Sequence, residues 1–218
     1  MKYTAVLPFV IGTYAQQCLS TCRFNVMTID NSVNNIGIMA SHNIAARTVI
    51  REQQDWLICM SASVRFGPPG GMDFIDALRD TDQLVLEGAG LFGWHLIAFR
   101  REVLETVGLW DENFTPYGFD DIDMILRFQR AYGVLDGERQ LWNKVVGDWS
   151  DANGMAHSVK EGRVTANTDR QIDYFMRKWG RHPGDSKTLA WMTPFNDPTR
   201  PVSWWPHPRG PLGALRPD

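Results

Sequence analysis

The stretch YTAVLPFVIGTYAQQCLSTCRFNVMTID (residues 3–30) decides the fold. It opens with an apolar, β-rich run, residues 3–11, interrupted only by Pro8, and this run predicts a buried first strand. GTYAQQCLSTC (12–22) opens with a glycine and reads as a short helix. FNVMTID (24–30) predicts a second strand that ends in polar residues. Strand, helix and strand in such close order are the mark of a parallel βαβ unit.

The alternation continues outward from that unit. IGIMASHNIAARTVIREQQ (36–54) has helical character, and DWLICMSAS (55–63) predicts a third buried strand. FGPPGG (66–71) is a loop by its proline and glycine content, and MDFIDALRD (72–80) is a short amphipathic helix. GWHLIAFRREVLETVG (93–108) gives a strand over 94–99 and a helix closing at Gly108. TANTDRQIDYFMRKWG (165–180) is a further helix with Gly180 as its stop signal. The expected class is therefore α/β, a mostly parallel sheet flanked by helices. Ligands of such sheets sit beyond the carboxyl ends of the strands, which directs attention to residues 30–35 and 61–63.

With 218 residues, 44% hydrophobic and 22% charged, the chain has room for one large domain with an appendage. We expect a domain over 1–181 and an extended arm over 182–218, rich in proline and carrying Trp204 and Trp205. The formal charge of −3 and the absence of a basic run argue against nucleic acid, whose phosphates call for clustered Lys and Arg. Cys18, Cys22 and Cys59 are odd in number and lack metal-ligand spacing, so buried, reduced thiols and a cytoplasmic setting are expected. The opening MKYTAVLPFVIG has a central proline and no small-residue cleavage site, which speaks against a signal peptide. No apolar stretch approaches the ~20 residues that cross a bilayer.

One segment carries more charge than folding alone requires. PYGFDDIDMILRFQRAYG (116–133) gathers Asp120, Asp121 and Asp123 where a turn feeds a helix. Carboxylates in a first helical turn meet the positive end of the macrodipole, which accounts for one or two of them. Three, set at the end of a rigid element, suggest a site.

These landmarks in order resemble the inverting family-2-like glycosyltransferases of the GT-A fold, which move a sugar from a nucleotide diphosphate to a hydroxyl. The strand with Pro8 looks like that family's first strand, and IDNS (29–32) resembles the turn that holds the nucleotide base. NIGIMASHN (35–43) matches an Asn-x-Gly-x5-Asn pattern through Asn35, Gly37 and Asn43. VGLWDENFTPYGFDDIDMILR (107–127) is similar to the late signature in which an acidic pair opens a helix ending in Arg, and YFMRKWG (174–180) resembles the last helix. The resemblance implies a soluble, Rossmann-like hexosyltransferase with a UDP-, GDP- or dTDP-linked donor. Its acceptor would be a hydroxyl of a glycan, lipid or protein. It assigns Asp121 as general base, Asp120 to orient the acceptor, and Asp123 to cap or brace the helix. Pro8, Asp30, Asn31, Asn35, Asn43, Ser61 and Ser63 fall on the nucleotide and donor side, where Asp30 and Asn31 equally suit turn chemistry and Asn35 and Asn43 equally suit bracing. Trp94 and His95 fall in the segment that lines the acceptor pocket, and core packing competes for Trp94. The arm offers a surface for a second subunit, for the acceptor, or for its own domain.

One departure stands out. Family members end the third strand with an acidic motif for a divalent ion, and here Ser61, Ala62 and Ser63 occupy that position. Hydroxyls are poor ligands for Mn2+ or Mg2+. Three readings follow. The metal is held weakly with help from His157; cationic side chains such as Arg65, Lys160 and Arg163 neutralise the diphosphate instead; or the chain is a non-catalytic nucleotide- or carbohydrate-binding protein on the same scaffold.

Overall fold

Tyr3–Phe9 forms β1, whose side chains alternate between two covered faces: Ala5 and Leu7 enter one layer and Val6 the other. The structure is a computed structural model that describes residues 1–89, 95–114, 118–132, 146–148, 157–158, 168–180 and 182–183. The remaining elements in chain order are α1 (Gly12–Thr21), β2 (Met27–Asp30), α2 (Ile38–Arg51), β3 (Trp56–Met60), β4 (Val64–Arg65), α3 (Met72–Asp80), β5 (Val85–Ala89), β6 (Leu96–Arg100) and α4 (Arg101–Val107). A 3-10 turn (Glu112–Phe114), α5 (Asp120–Tyr132), β7 (Val146–Asp148), β8 (His157–Ser158) and α6 (Thr168–Trp179) complete it.

Six strands make one sheet in the order β2-β1-β3-β6-β5-β7. β1 pairs in parallel with β2 and β3, and β5 with β7, while β6 is antiparallel to both of its neighbours. The mostly parallel sheet expected from the sequence is present, with β6 as its one reversed strand. β3 is buried along its whole length, as a strand covered on both faces must be. Trp56, Ile58 and Met60 pack with α1 and α3, and Leu57 and Cys59 pack with α2, α4, α5 and α6. β4 and β8 form a separate antiparallel ribbon that pairs Arg65 with His157.

Each predicted helix and strand that falls on described residues is found within a few positions of its expected bounds. β5 went unanticipated, because its run is short and ends in Glu87, Gly88 and Ala89. Gly88 has a packing reason: a Cβ there would lie 2.5 Å from Leu96. Trp94, Lys160, Arg163 and the arm beyond 183 lie outside the described residues.

Candidate functional site

Five strands run one way, so their carboxyl ends share one rim, and the reversed β6 brings its beginning to the same rim. β1 sends the chain to β2 on one side, and β3 lies on the other, which opens the crevice where sheets of this kind hold ligands. Pro8, paired with Ile29 and buried, helps form the floor. Asp30 ends β2 in the open. Its carboxylate accepts the Ser32 N–H at 2.8 Å, and the Ser32 hydrogen bonds hold it below the usual carboxylate range.

The loop after Asp30 is locked from within. Asn31 is buried; its amide donates to Ser41 Oγ at 3.1 Å and accepts from the Ile36 N–H at 3.4 Å. Ser41 Oγ in turn donates to the Gly37 carbonyl at 2.8 Å. Gly37 enters α2 at φ 87°, a backbone region open to glycine, and donates its N–H to Asn35 Oδ1 at 2.9 Å. Asn43 has no exposure, and its amide meets Trp110 N, Trp110 O and Glu112 Oε1 at 2.8, 2.8 and 2.9 Å. Asn31 and Asn43 therefore act as braces for the crevice wall, while Asp30 and Asn35 are the members of this group that meet solvent.

Across the crevice, the segment after β3 joins the segment before β6. Ser61 N–H donates to the His95 carbonyl at 2.7 Å, continuing the β3–β6 ladder by one step. Their side chains are linked as well. Ser61 Oγ and Ser63 Oγ are 2.8 Å apart, Ser63 Oγ is 3.2 Å from His95 Nδ1, and the Ser63 N–H donates to Ser61 Oγ at 3.2 Å. Partial burial lowers the His95 imidazole pKa, so it is neutral at physiological pH. Arg65, a candidate for the diphosphate, is engaged with the Ala62 and Val64 carbonyls at 2.6 and 2.7 Å and with Gln17 at 2.7 Å. It wraps the serine turn.

The acidic helix mouth faces this rim. Gly118 and Phe119, at φ 119° and 63°, turn the chain into α5. The left-handed conformation is rare for a bulky residue, and residues so held gather at functional sites. Asp120 accepts the Gly118 N–H at 3.1 Å and Asp121 accepts the Ile122 N–H at 2.8 Å. Burial, then the Asp121 charge, push the Asp120 carboxyl up to about 7. The Cys59 thiol, two residues before Ser61, is raised by its own burial and further by the Asp120 charge. Asp120 thus stands within electrostatic reach of Cys59 on β3.

Asp123 points the other way. Its carboxylate lies 2.6 Å from Lys178 Nζ and accepts from Arg127 Nε and Trp179 Nε1, each at 2.9 Å. Burial opposes its charge, and Lys178 and Arg127 overcome that and hold it ionised. Lys178 also meets Asp111 at 2.8 Å, and Asp111 accepts the Tyr174 hydroxyl at 2.7 Å. This fully buried set ties α5, the turn before it and α6 together, the bracing role expected for Asp123. His42 is also buried, its ring 5.1 Å from that of Trp110, and desolvation lowers it to about 4.

Among the described residues, no group of three or more His, Cys, Asp or Glu is arranged to hold a metal ion. The donors at the end of β3 are two neutral hydroxyls and an imidazole bonded to one another, a set that does not fit a hard divalent cation. The backbone of His157 lies beside that of Arg65, which brings β8 next to the serine turn.

The fold is that of the GT-A-like glycosyltransferases. The catalytic domain of Drosophila β1,4-galactosyltransferase 7, solved with xylobiose, superposes with a TM-score of 0.54 at 12% identity over 78% of each chain. A mutant of that enzyme, solved with manganese, UDP-Gal and xylobiose, gives a TM-score of 0.52 at 10% identity over 78% of this chain and 79% of its own. S. aureus TarS 1-349 aligns at 12% identity with a TM-score of 0.49 over 73% of this chain and 60% of its own, so the chain spans about three fifths of that fragment. No protein-family model and no curated protein sequence matches the chain.

Proposed function

We propose that the protein is an inverting glycosyltransferase that moves a hexosyl group from a nucleotide diphosphate to a hydroxyl acceptor. The observation that supports this reading is that Asp120, in the acidic pair heading α5, lies within electrostatic reach of Cys59 on β3, two residues before Ser61. The acceptor oxygen attacks the anomeric carbon as the bond from that carbon to the diphosphate oxygen breaks, and its electron pair leaves with the diphosphate. The acceptor's proton passes to Asp121, with Asp120 beside it holding the acceptor. Asp30 and Asn35 are the proposed contacts to the nucleotide, and Trp94 is proposed to line the acceptor side. The hydroxyls of Ser61 and Ser63 do not suit a hard cation, so the charge of the departing diphosphate falls to the chain's own side chains.

The test is turnover of a panel of nucleotide sugars linked to UDP, GDP and dTDP, with sugar, lipid and peptide acceptors, each with and without chelator. Asp121→Asn is expected to depress transfer about 10²-fold or more, the scale for loss of a general base, with donor binding nearly unchanged. A fully active Asp121→Asn protein would end the assignment of the base. Donor binding with no turnover on any acceptor would instead favour a binding module.

A further inference from the structure

We propose that Ser61, Ser63 and His95 form one hydrogen-bonded anion site that takes the terminal phosphate of a nucleoside diphosphate without a divalent ion, and that the bound anion draws a proton onto the imidazole. The inference rests on the reading of the crevice as a nucleotide-diphosphate site and adds how its charge is met. The three groups are in series: Ser61 Oγ to Ser63 Oγ at 2.8 Å, and Ser63 Oγ to His95 Nδ1 at 3.2 Å. A hydroxyl has one proton to give, so the direction of donation along such a chain is set by whichever end is charged. With an anion at Ser61, that hydroxyl points outward. Its oxygen must then accept the Ser63 proton, beside the Ser63 N–H it already accepts at 3.2 Å, and the Ser63 oxygen must accept from His95 Nδ1–H. The anion therefore fixes one proton on Nδ1, and its negative charge favours a second, taken from solvent onto Nε2; the resulting imidazolium supplies the positive charge a metal would otherwise bring.

Without an anion the ring is neutral, because its partial burial lowers its proton affinity. Four neighbouring titratable or charged groups bear on the balance. Arg65 of β4 binds the Ala62 and Val64 carbonyls, Cys18 of α1 sits 3.9 Å from the Ser61 carbonyl, Cys59 of β3 is a thiol raised by burial, and Asp120 of α5 acts on that thiol. Burial is what lowers the ring in the ligand-free protein, so the added anion decides. His95, expected on the acceptor side, is by these contacts joined to the donor side.

The experiment is calorimetric titration of the full chain with UDP, GDP and dTDP in excess chelator, in two buffers of different ionisation enthalpy near pH 7. The expected result is binding of at least one nucleotide, with affinity changed less than about twofold by chelator and with up to one proton taken up, read from the difference between buffers. His95→Asn keeps a partner for Ser63 and cannot titrate; it should abolish proton uptake and weaken binding roughly 10-fold, the loss of about one charge-assisted hydrogen bond. Ser63→Ala, which leaves the imidazole in place, should abolish uptake as well. Wild-type binding that needs Mn2+ or Mg2+, or that takes up no proton, would overturn this inference and leave the glycosyltransferase reading standing. No binding of any nucleotide under either condition would overturn both.

Discussion

Asp120 is a carboxyl whose proton leaves near neutrality, so its charge is set by ordinary changes of pH. An ionised Asp120 can accept a hydrogen bond from the acceptor hydroxyl and hold it in place; a protonated one cannot do so with the same oxygen. We expect kcat/KM to fall about tenfold per pH unit below about 7, the slope of a single titrating group, and Asp120→Asn to flatten that limb. A wild-type profile level from pH 5 to 8 would remove the pair from the chemistry. The same shift has a stability sign. Burial raises the folded-state value above the unfolded one, so the folded state holds the proton more tightly, and the stability this brings at low pH is lost as pH rises through about 7. Asp120→Asn should therefore raise Tm by about 2–4 °C at pH 8, the scale of ~1 kcal/mol, and leave it unchanged at pH 4. Equal shifts at the two pH values would show that the charge plays no part.

Elements are joined here by buried charge. Asp111 and Asp123 stand against Arg127 and Lys178, two charges of each sign, and Lys178 touches both carboxylates. Removing one partner of such a set leaves an uncompensated charge, which costs about 3–5 kcal/mol. Lys178→Met should lose that much in chemical denaturation and should also loosen α5, so transfer activity falls with it; a loss below about 1 kcal/mol would mean the carboxylates find another partner. Half of this arrangement was legible in the sequence. Asp123 and Arg127 are spaced i, i+4 and so share a helix face, and the triple aspartate marked the helix mouth. Lys178 gave no signal, because a lysine in a last helical turn reads as a solvated cation until a carboxylate 67 residues away is known to face it. The link from Ser63 to His95 was hidden in the same way: it depends on pairing between strands, which local pattern does not carry.

At the scale of the molecule, the alternation of strands and helices was readable because two-sided burial writes near-continuous apolar runs such as WLICM. The reversal of β6 was not, since an apolar run has no direction. The described core closes with α6: Phe175 and Trp179 are buried, and Trp179 reaches Asp123. We propose that the domain ends there, and expect a chain cut after residue 181 to unfold cooperatively with a Tm within about 4 °C of the full chain, the shift of ~1 kcal/mol for a domain of this size. A truncated protein that fails to fold would make the arm part of the core. The inverted strand has one more effect. A sheet whose strands all ran together would furnish its rim only with chain that is departing; β6 adds chain that is arriving, anchored by ladders on both flanks. His95, at its entrance, is therefore held in place by two ladders at once, so the imidazole keeps its position beside Ser63 without help from the loop that precedes it.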